Sequence, residues 1–236
     1  MTPPSDDPQA AFDDAAAIAS YADRTRRLVP GWADLQTMAT LLLAERAPAD
    51  ARVLVVGAGG GVELKAFAQA HPGWGFVGVD PSEPMLQMAR ATLGPLASRV
   101  EFHAGYVQTA PAGPFDAATC LLTMHFVPLA ERLSTLQAIH GRLKPGAPFV
   151  MAHMSFPQAP DERALWLSRY AAFAVASGVD PEAARRAAAT IGASLPLLGP
   201  DDEQALLAEA GFTGTRLFYA GLAFRGWVSL AGPGLR

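Results

Sequence analysis

The residues best suited to chemistry form a glycine-rich loop, followed at a fixed distance by a carboxylate. Gly57, Gly59 and Gly61 come directly after the apolar run Val53–Val56, and Asp80 ends a second apolar run. Glycines permit a sharp turn and let a ligand approach the backbone, and an acid about 20 residues later suits ribose hydroxyl groups. The order of strand, loop, helix, strand and acid predicts a nucleotide-binding half of a doubly wound α/β sheet.

The glycine spacing also separates two classes of ligand. A dinucleotide fingerprint needs its third glycine one position later, where this chain has Val62, so a dinucleotide oxidoreductase is disfavoured. A second interpretation of Asp80 is that it caps the next helix, because the stretch PSEPMLQMAR that follows has proline in its first turn.

The spacing G-x-G-x-G resembles that of class I S-adenosylmethionine-dependent methyltransferases, and other segments agree with this. The stretches EFHAGYV, FDAATCLLTMHFV and LKPGAPFVMAH resemble the family's third, fourth and fifth strands, and RLFYAG with AFRGWVSL is similar to its closing hairpin. The resemblance implies a Rossmann-like, doubly wound α/β fold with seven strands in the order 3-2-1-4-5-7-6, strand 7 antiparallel. It also implies an N-terminal helical cap over residues 1–50 and a methyltransferase domain over 51–236, with a helical insertion at 156–200.

The resemblance further implies that S-adenosylmethionine is the cofactor and S-adenosylhomocysteine the product. The residues expected to hold the cofactor lie in the N-terminal helix, the glycine loop and the turns after strands 2, 3 and 4. They are Tyr21, Arg26, Gly57, Ala58, Gly59, Gly61, Asp80, Pro81, Met85, Gly105, Tyr106, Val107, Leu122, Thr123 and Phe126.

Two positions depart from the family's pattern. The family usually carries an acid two residues before the first glycine, near the methionine amino group, and here that residue is Val55. It often has another acid after the third strand, near the adenine, where this chain has Tyr106. Each loss is expected to cost about 1–3 kcal/mol of binding free energy.

His125 is the candidate catalytic base, because it directly follows the predicted fourth strand and histidine titrates near neutral pH. The competing interpretation is a histidine that packs or starts a helix. His153, at the end of the predicted fifth strand, is a second candidate. The other histidines are expected to be structural.

The segment before the first strand also draws attention, since VPGW resembles a segment of bacterial carboxy-S-adenosylmethionine synthases. Tyr21, Arg26 and Trp32 are candidates to meet the methionine carboxylate of the cofactor, or the acceptor, and the alternative is surface arginines beside a packed tryptophan. In the insertion, Trp166, Tyr170 and Phe173 recur at helical spacing, which favours core packing over a substrate box.

Composition narrows the classes of partner. The 236 residues carry a formal net charge of −4 without a basic block, so nucleic-acid binding is not expected. No signal peptide and no membrane span is predicted, which favours a cytoplasmic protein. Cys120 is the single cysteine and is read as a small buried hydrophobe, and no metal site is expected. The insertion is predicted either to shape the acceptor pocket or to form a homodimer contact.

These observations favour methyl transfer from S-adenosylmethionine to a small-molecule acceptor. Two alternatives stay open. One is a non-catalytic regulatory or accessory protein that binds S-adenosylmethionine, motivated by the missing acids. The other is an enzyme that makes or uses a modified sulfonium cofactor.

Overall fold

The computed structural model describes residues 21–233, with side chains from residue 23 onward. Strands and helices alternate through most of this range. The strands are β1 Arg52–Val56, β2 Gly75–Asp80, β3 Val100–Ala104, β4 Ala117–Leu121, β5 Pro148–Met154, β6 Phe212–Gly221 and β7 Phe224–Ala231. The helices are α1 Tyr21–Leu28, α2 Trp32–Ala44, α3 Val62–Ala70, α4 Glu83–Leu93, α5 Leu129–His140, α6 Pro160–Ala176, α7 Pro181–Ser194 and α8 Pro200–Glu209.

The seven strands form one sheet in the order β3-β2-β1-β4-β5-β7-β6. Strands β1 to β5 pair in parallel, and β7 runs antiparallel to both β5 and β6. The predicted order and the antiparallel seventh strand are confirmed. In such a sheet the strand order runs outward in opposite directions from β1 and from β4, and ligands bind at the carboxyl ends of the strands at this switch point.

Burial explains why the central strands are so apolar. Every residue of β4 and β5 is buried, as are four of the five residues of β1, because helices cover both faces of the parallel sheet. One cluster of buried side chains joins the sheet to α2, α3, α6 and α7. The other joins the opposite face to α5 and α8.

The N-terminal helices and the insertion are attached to the last strands. The Tyr219 hydroxyl of β6 donates to the carbonyl of Pro30 at 2.6 Å, which fixes the turn between α1 and α2. Within the N-terminal helical cap predicted over residues 1–50, the described residues form the helices Tyr21–Leu28 and Trp32–Ala44. The segment 156–200, predicted as a helical insertion, contains the two helices α6 and α7.

Residues 21–233 contain neither a membrane-spanning helix nor a cluster of metal-ligand side chains. No helix in this range combines the length and apolar character needed to cross a membrane. The same residues bring together no group of three or more His, Cys, Asp or Glu side chains suited to a metal ion.

Candidate functional site

A pocket of about 1080 Å³ opens at the carboxyl ends of β1, β2 and β4, where the reversal of strand order predicts a ligand site. Its walls are formed by three parts of the chain. These are the turns after β1 to β4, the start of α5, and the segment 194–196, which leads from α7 toward α8. The lining residues are Val56, Gly57, Gly59, Val79, Asp80, Pro81, Ser82, Met85, Gly105, Tyr106, Val107, Gln108, Thr109, Leu122, Thr123, Phe126, Val127, Pro128, Leu129, Ala130, Glu131, Thr135, Ser194 and Pro196.

The glycines of the loop are required by close packing within the protein. Gly57 has φ +79°, and a side chain there would collide with Thr123. A Cβ on Gly59 would lie 2.7 Å from Oδ2 of Asp80, and one on Gly61 would lie 2.7 Å from the backbone of Ala89. Gly61 therefore lets α4 approach the loop, while Gly57 and Gly59 keep the pocket wall open.

Asp80 connects the glycine loop to the start of α4. Its Oδ2 accepts from the backbone N–H of Gly59 and its Oδ1 from that of Ser82, both at 2.9 Å. The cap of α4 is Ser82, whose hydroxyl accepts from the N–H of Met85. Asp80 therefore bonds the turn before α4 but is not the residue that caps the helix. Its carboxylate also lines the pocket.

The turns after β3 and β4 form the opposite wall. The Tyr106 side chain is 56% exposed at this wall, as expected of a ring that could stack on a base. Leu122 has φ +56°, a strained conformation for a branched residue, and its N–H donates to the carbonyl of Ala152. This turn directs Thr123 and Phe126 to the pocket.

Several predicted cofactor residues lie outside the lining. Ala58 is buried and its N–H donates to the carbonyl of Val79, while Gly61 faces α4. Arg26 is exposed, with its guanidinium 5.5 Å from the centre of the Trp32 ring, which matches the alternative interpretation of a surface arginine. The side chain of Tyr21 lies outside the described residues. The binding roles of all four stay predictions without support from this geometry.

The candidate base also points away from the pocket. His125 is 6% exposed, and its Nδ1 accepts from the N–H of Met154 at 3.4 Å. Burial, with the charges of His153 and Arg132, lowers the pKa of His125 well below its usual value. His153 is fully buried. Neither ring lines the pocket, so a base at His125 stays a prediction, and this geometry favours the packing alternative.

One acid near the loop escaped the sequence reasoning. Glu63, in the first turn of α3, is 8% exposed, and its Oε1 accepts from the Thr119 hydroxyl at 3.1 Å. Thr119 lies beside Val55 in the parallel register of β1 and β4. The Glu63 carboxyl therefore lies close to the place where the family usually has its acid. Burial, opposed by the bond from Thr119 and aided by Asp80, raises its pKa to about 8.

Comparison with known proteins agrees with this arrangement. A family model described as a methyltransferase domain matches residues 53–146, which run from β1 to the turn before β5. That stretch contains the glycine loop, Asp80 and the turns after β3 and β4. Residues 53–146 therefore form a methyltransferase domain, as the resemblance to the class I S-adenosylmethionine-dependent superfamily predicts. The predicted family and its cofactor, S-adenosylmethionine, are thereby confirmed.

Two curated proteins are similar to this chain over different shares of its length. The chain is 28% identical to a carboxy-S-adenosyl-L-methionine synthase of Chromohalobacter salexigens over 92% of its own length and 82% of that protein. It is 37% identical to a ubiquinone biosynthesis O-methyltransferase of Bordetella avium, but over only 40% of its own length and 39% of that protein.

A solved structure agrees on the fold of this methyltransferase-like chain. Human N-acetylserotonin methyltransferase, solved in complex with SAM, superposes with a TM-score of 0.65 at 14% identity, over 98% of this chain. The chain spans 61% of that protein, so the likeness concerns the fold and not the human enzyme's acceptor.

The Asp80 carboxylate gives a first prediction on the cofactor. Replacing Asp80 by asparagine is expected to weaken S-adenosylhomocysteine binding by about 1–3 kcal/mol, because a neutral amide loses charged hydrogen bonds to ribose. Isothermal calorimetry measures the change, and Asp116→Asn, whose carboxylate bonds Lys144 outside the pocket, is the control. Unchanged affinity for Asp80→Asn would refute the assignment to ribose.

Proposed function

We propose that this methyltransferase-superfamily protein transfers a methyl group from S-adenosylmethionine to a small, largely apolar acceptor without negative charge. The observation that carries the proposal is the charge of the pocket. Its only charged lining residues within the described range are Asp80 and Glu131. Outside that range, the sequence has a single basic residue, Arg236. A sulfonium cation is suited to such a pocket, and an acceptor with a net negative charge is not.

The size and lining of the pocket support a second ligand beside the cofactor. Its 1080 Å³ exceeds the range of roughly 300–1,000 Å³ that is usual for one small-molecule site. The part away from Asp80 is bordered by Phe126, Val127, Leu129 and Pro196, which offer apolar surface. The amino end of α5 lies here too, but Glu131 in its first turn offsets the positive end of the helix.

The direct test is turnover with methyl-labelled S-adenosylmethionine and acceptors that share one ring and differ in charge. We expect S-adenosylhomocysteine to form with neutral phenols or amines, and the matching benzoates to be inert. Methyl transfer to the carboxylates alone would contradict the proposed acceptor class. Tight cofactor binding without turnover on any acceptor would instead favour the non-catalytic alternative.

A second candidate function is the synthesis of a carboxylated cofactor, because the Chromohalobacter relative aligns over 92% of this chain. The product of such a reaction carries an additional carboxylate, which would enter a pocket lined by two acids. We therefore predict that S-adenosylmethionine binds at least ~10-fold more tightly than carboxy-S-adenosylmethionine. Competition calorimetry measures the ratio. Tighter binding of the carboxylated form, or its presence in the purified protein by mass spectrometry, would favour synthesis.

We further propose that Glu63 replaces the acid absent at Val55. Its carboxyl lies outside the lining residues, so we infer an electrostatic effect across the glycine loop on the cationic cofactor. The insertion is proposed as a wall of the acceptor pocket, supported by the position of Ser194 and Pro196 in its lining. A cytoplasmic location, the absence of a nucleic-acid partner and a homodimer remain predictions, and light scattering would test the last.

A further inference from the structure

Arg132 is a fully buried arginine of α5. It lies between the pocket and the segment 195–199, which leads from α7 to α8. Its Nε donates to the carbonyl of Val127 at 3.2 Å, and its Nη2 donates to the carbonyl of Pro196. Val127 and Pro196 both line the pocket. One guanidinium thus bonds the backbones of two pocket walls that are 69 positions apart in the chain.

The charge of Arg132 is balanced inside the protein. Its Nη1 donates to Oε1 of Glu203 at 2.6 Å, and both side chains are inaccessible to solvent. Oε2 of Glu203 lies 3.4 Å from Nε2 of His153. Although burial acts in the opposite direction, His153 and Arg132 hold the pKa of Glu203 below its usual value. A buried pair of this kind adds little net stability, but its geometry is highly constrained.

The segment 195–199, which leads from α7 to α8, also packs into the core, where Leu197 is buried. Ser194 ends α7, and the next residues reach α8 without joining the sheet. The Ser155 hydroxyl donates to the carbonyl of Leu198 at 3.0 Å. Within the segment, the N–H of Leu195 donates to Ile191 and that of Leu197 to Leu195. The bond from Arg132 is the one that reaches the segment from the α5 side of the pocket.

We infer that Arg132 is a positioning residue that sets the separation of the two acceptor-side walls by holding Pro196 and Ser194 over Val127. This inference rests on the proposed function, since it assigns the acceptor to that end of the pocket. Arg132 does not line the pocket and takes no part in the chemistry. Its planar fork matters because it bonds two carbonyls and a carboxylate together, which a lysine ammonium cannot do in the same geometry.

The main test variant is Arg132→Lys, which keeps a cation beside Glu203 and removes the fork. A second variant, Arg132→Met with Glu203→Leu, removes both charges together and leaves no unpaired buried ion. The matched control is Arg99→Lys, because Arg99 also donates to several backbone carbonyls, those of His71, Pro72 and Trp74. These carbonyls lie near the amino end of β2, whereas the pocket lies at the carboxyl ends of the strands.

The first readout is hydrogen exchange at the amides of Leu195 and Leu197, which needs no acceptor. We expect at least ~10-fold faster exchange there in Arg132→Lys and in the double variant, with β4 and β5 unchanged. Arg99→Lys should leave these two amides as protected as in the natural protein. Unchanged protection in both Arg132 variants would overturn the inference, whatever the protein catalyses.

The second readout separates positioning from a purely structural role. Once an acceptor is known, Arg132→Lys should raise the KM for the acceptor at least ~10-fold, while S-adenosylhomocysteine affinity changes less than ~3-fold. An equal loss of cofactor and acceptor binding would mean that Arg132 only stabilises the fold, and would overturn the positioning role. If methyl transfer itself is absent, the exchange result still decides the structural part of the inference.

Discussion

Replacing Gly59 by valine is expected to abolish cofactor binding while the sheet stays folded. A Cβ at this position would lie 2.7 Å from Oδ2 of Asp80 and 3.0 Å from Cε of Met85. The branched side chain would therefore enter the pocket and displace the carboxylate that we assign to ribose. We expect a loss of at least ~100-fold in affinity for S-adenosylhomocysteine, measured by calorimetry, with an unchanged circular dichroism spectrum.

The same substitution at Gly75 is the control for a valine in this sheet. Gly75 is the first residue of β2, and the nearest atom to an added Cβ is 4.0 Å away. Valine favours strands, so Gly75→Val should bind the cofactor normally. Affinity retained in Gly59→Val would mean that the loop does not hold the ligand. The affinity of Gly59→Ala for S-adenosylhomocysteine should lie between those of the two valine variants, because alanine adds only the Cβ atom.

Replacing Glu63 by glutamine is expected to remove most of the pH dependence that the ionisation of Glu63 gives to the free energy of unfolding. The pKa of Glu63 is about 8 in the folded protein against an ordinary 4.5. Between these values the folded state keeps a proton that the unfolded chain releases, so stability falls as pH rises from about 4.5 to 8. Integrated over that window, the loss is at most about 5 kcal/mol. Because a glutamine side chain cannot ionise, the Glu63→Gln variant should not show this fall in the free energy of unfolding.

Chemical denaturation at pH 5 and pH 9 measures this effect. Glu63→Gln should resemble the natural protein at pH 5 and exceed its free energy of unfolding at pH 9, when no cofactor is present. Glu101→Gln removes an acid that is exposed beside Arg52, and it serves as the control. An equal pH dependence in Glu63→Gln and the natural protein would show that Glu63 ionises normally.

The proposed link between Glu63 and the cofactor has its own readout in the same variant. If the cationic cofactor favours ionised Glu63, binding near pH 7 releases a proton, and the calorimetric enthalpy varies with the ionisation enthalpy of the buffer. Glu63→Gln should lose that variation. A buffer dependence that persists in Glu63→Gln would assign the proton to another group.

Local spacing was enough to predict that the residues proposed to hold the cofactor lie beside one another. Gly57, Gly59 and Asp80 follow two short buried strands, and a parallel sheet brings the ends of such strands to one edge. Spacing could not reveal why Gly61 is a glycine, since its neighbour Ala89 is 28 positions away in the chain. The strand order came from the family resemblance, not from the periodicity of the residues.

The acceptor side was harder to predict because its contacts join distant segments. Arg132 and Glu203 are 71 positions apart, and each alone reads as an ordinary charged residue of an amphipathic helix. Glu63 did leave a local signal that was overlooked. It stands one turn before the buried Phe67, so the helical period places an acid on the face that packs against the sheet.

The position of β7 has a consequence for the order in which the protein can assemble during synthesis. β7 is the last described strand, yet it lies between β5 and β6 in the middle of that side of the sheet. Until it leaves the ribosome, β5 presents an unpaired edge to other chains. The turn at Pro30 likewise gains its hydrogen bond from the Tyr219 hydroxyl only after β6 has been synthesised. The nascent chain can therefore form its nucleotide half early, but the edge of β5 stays open to aggregation until β7 has been synthesised.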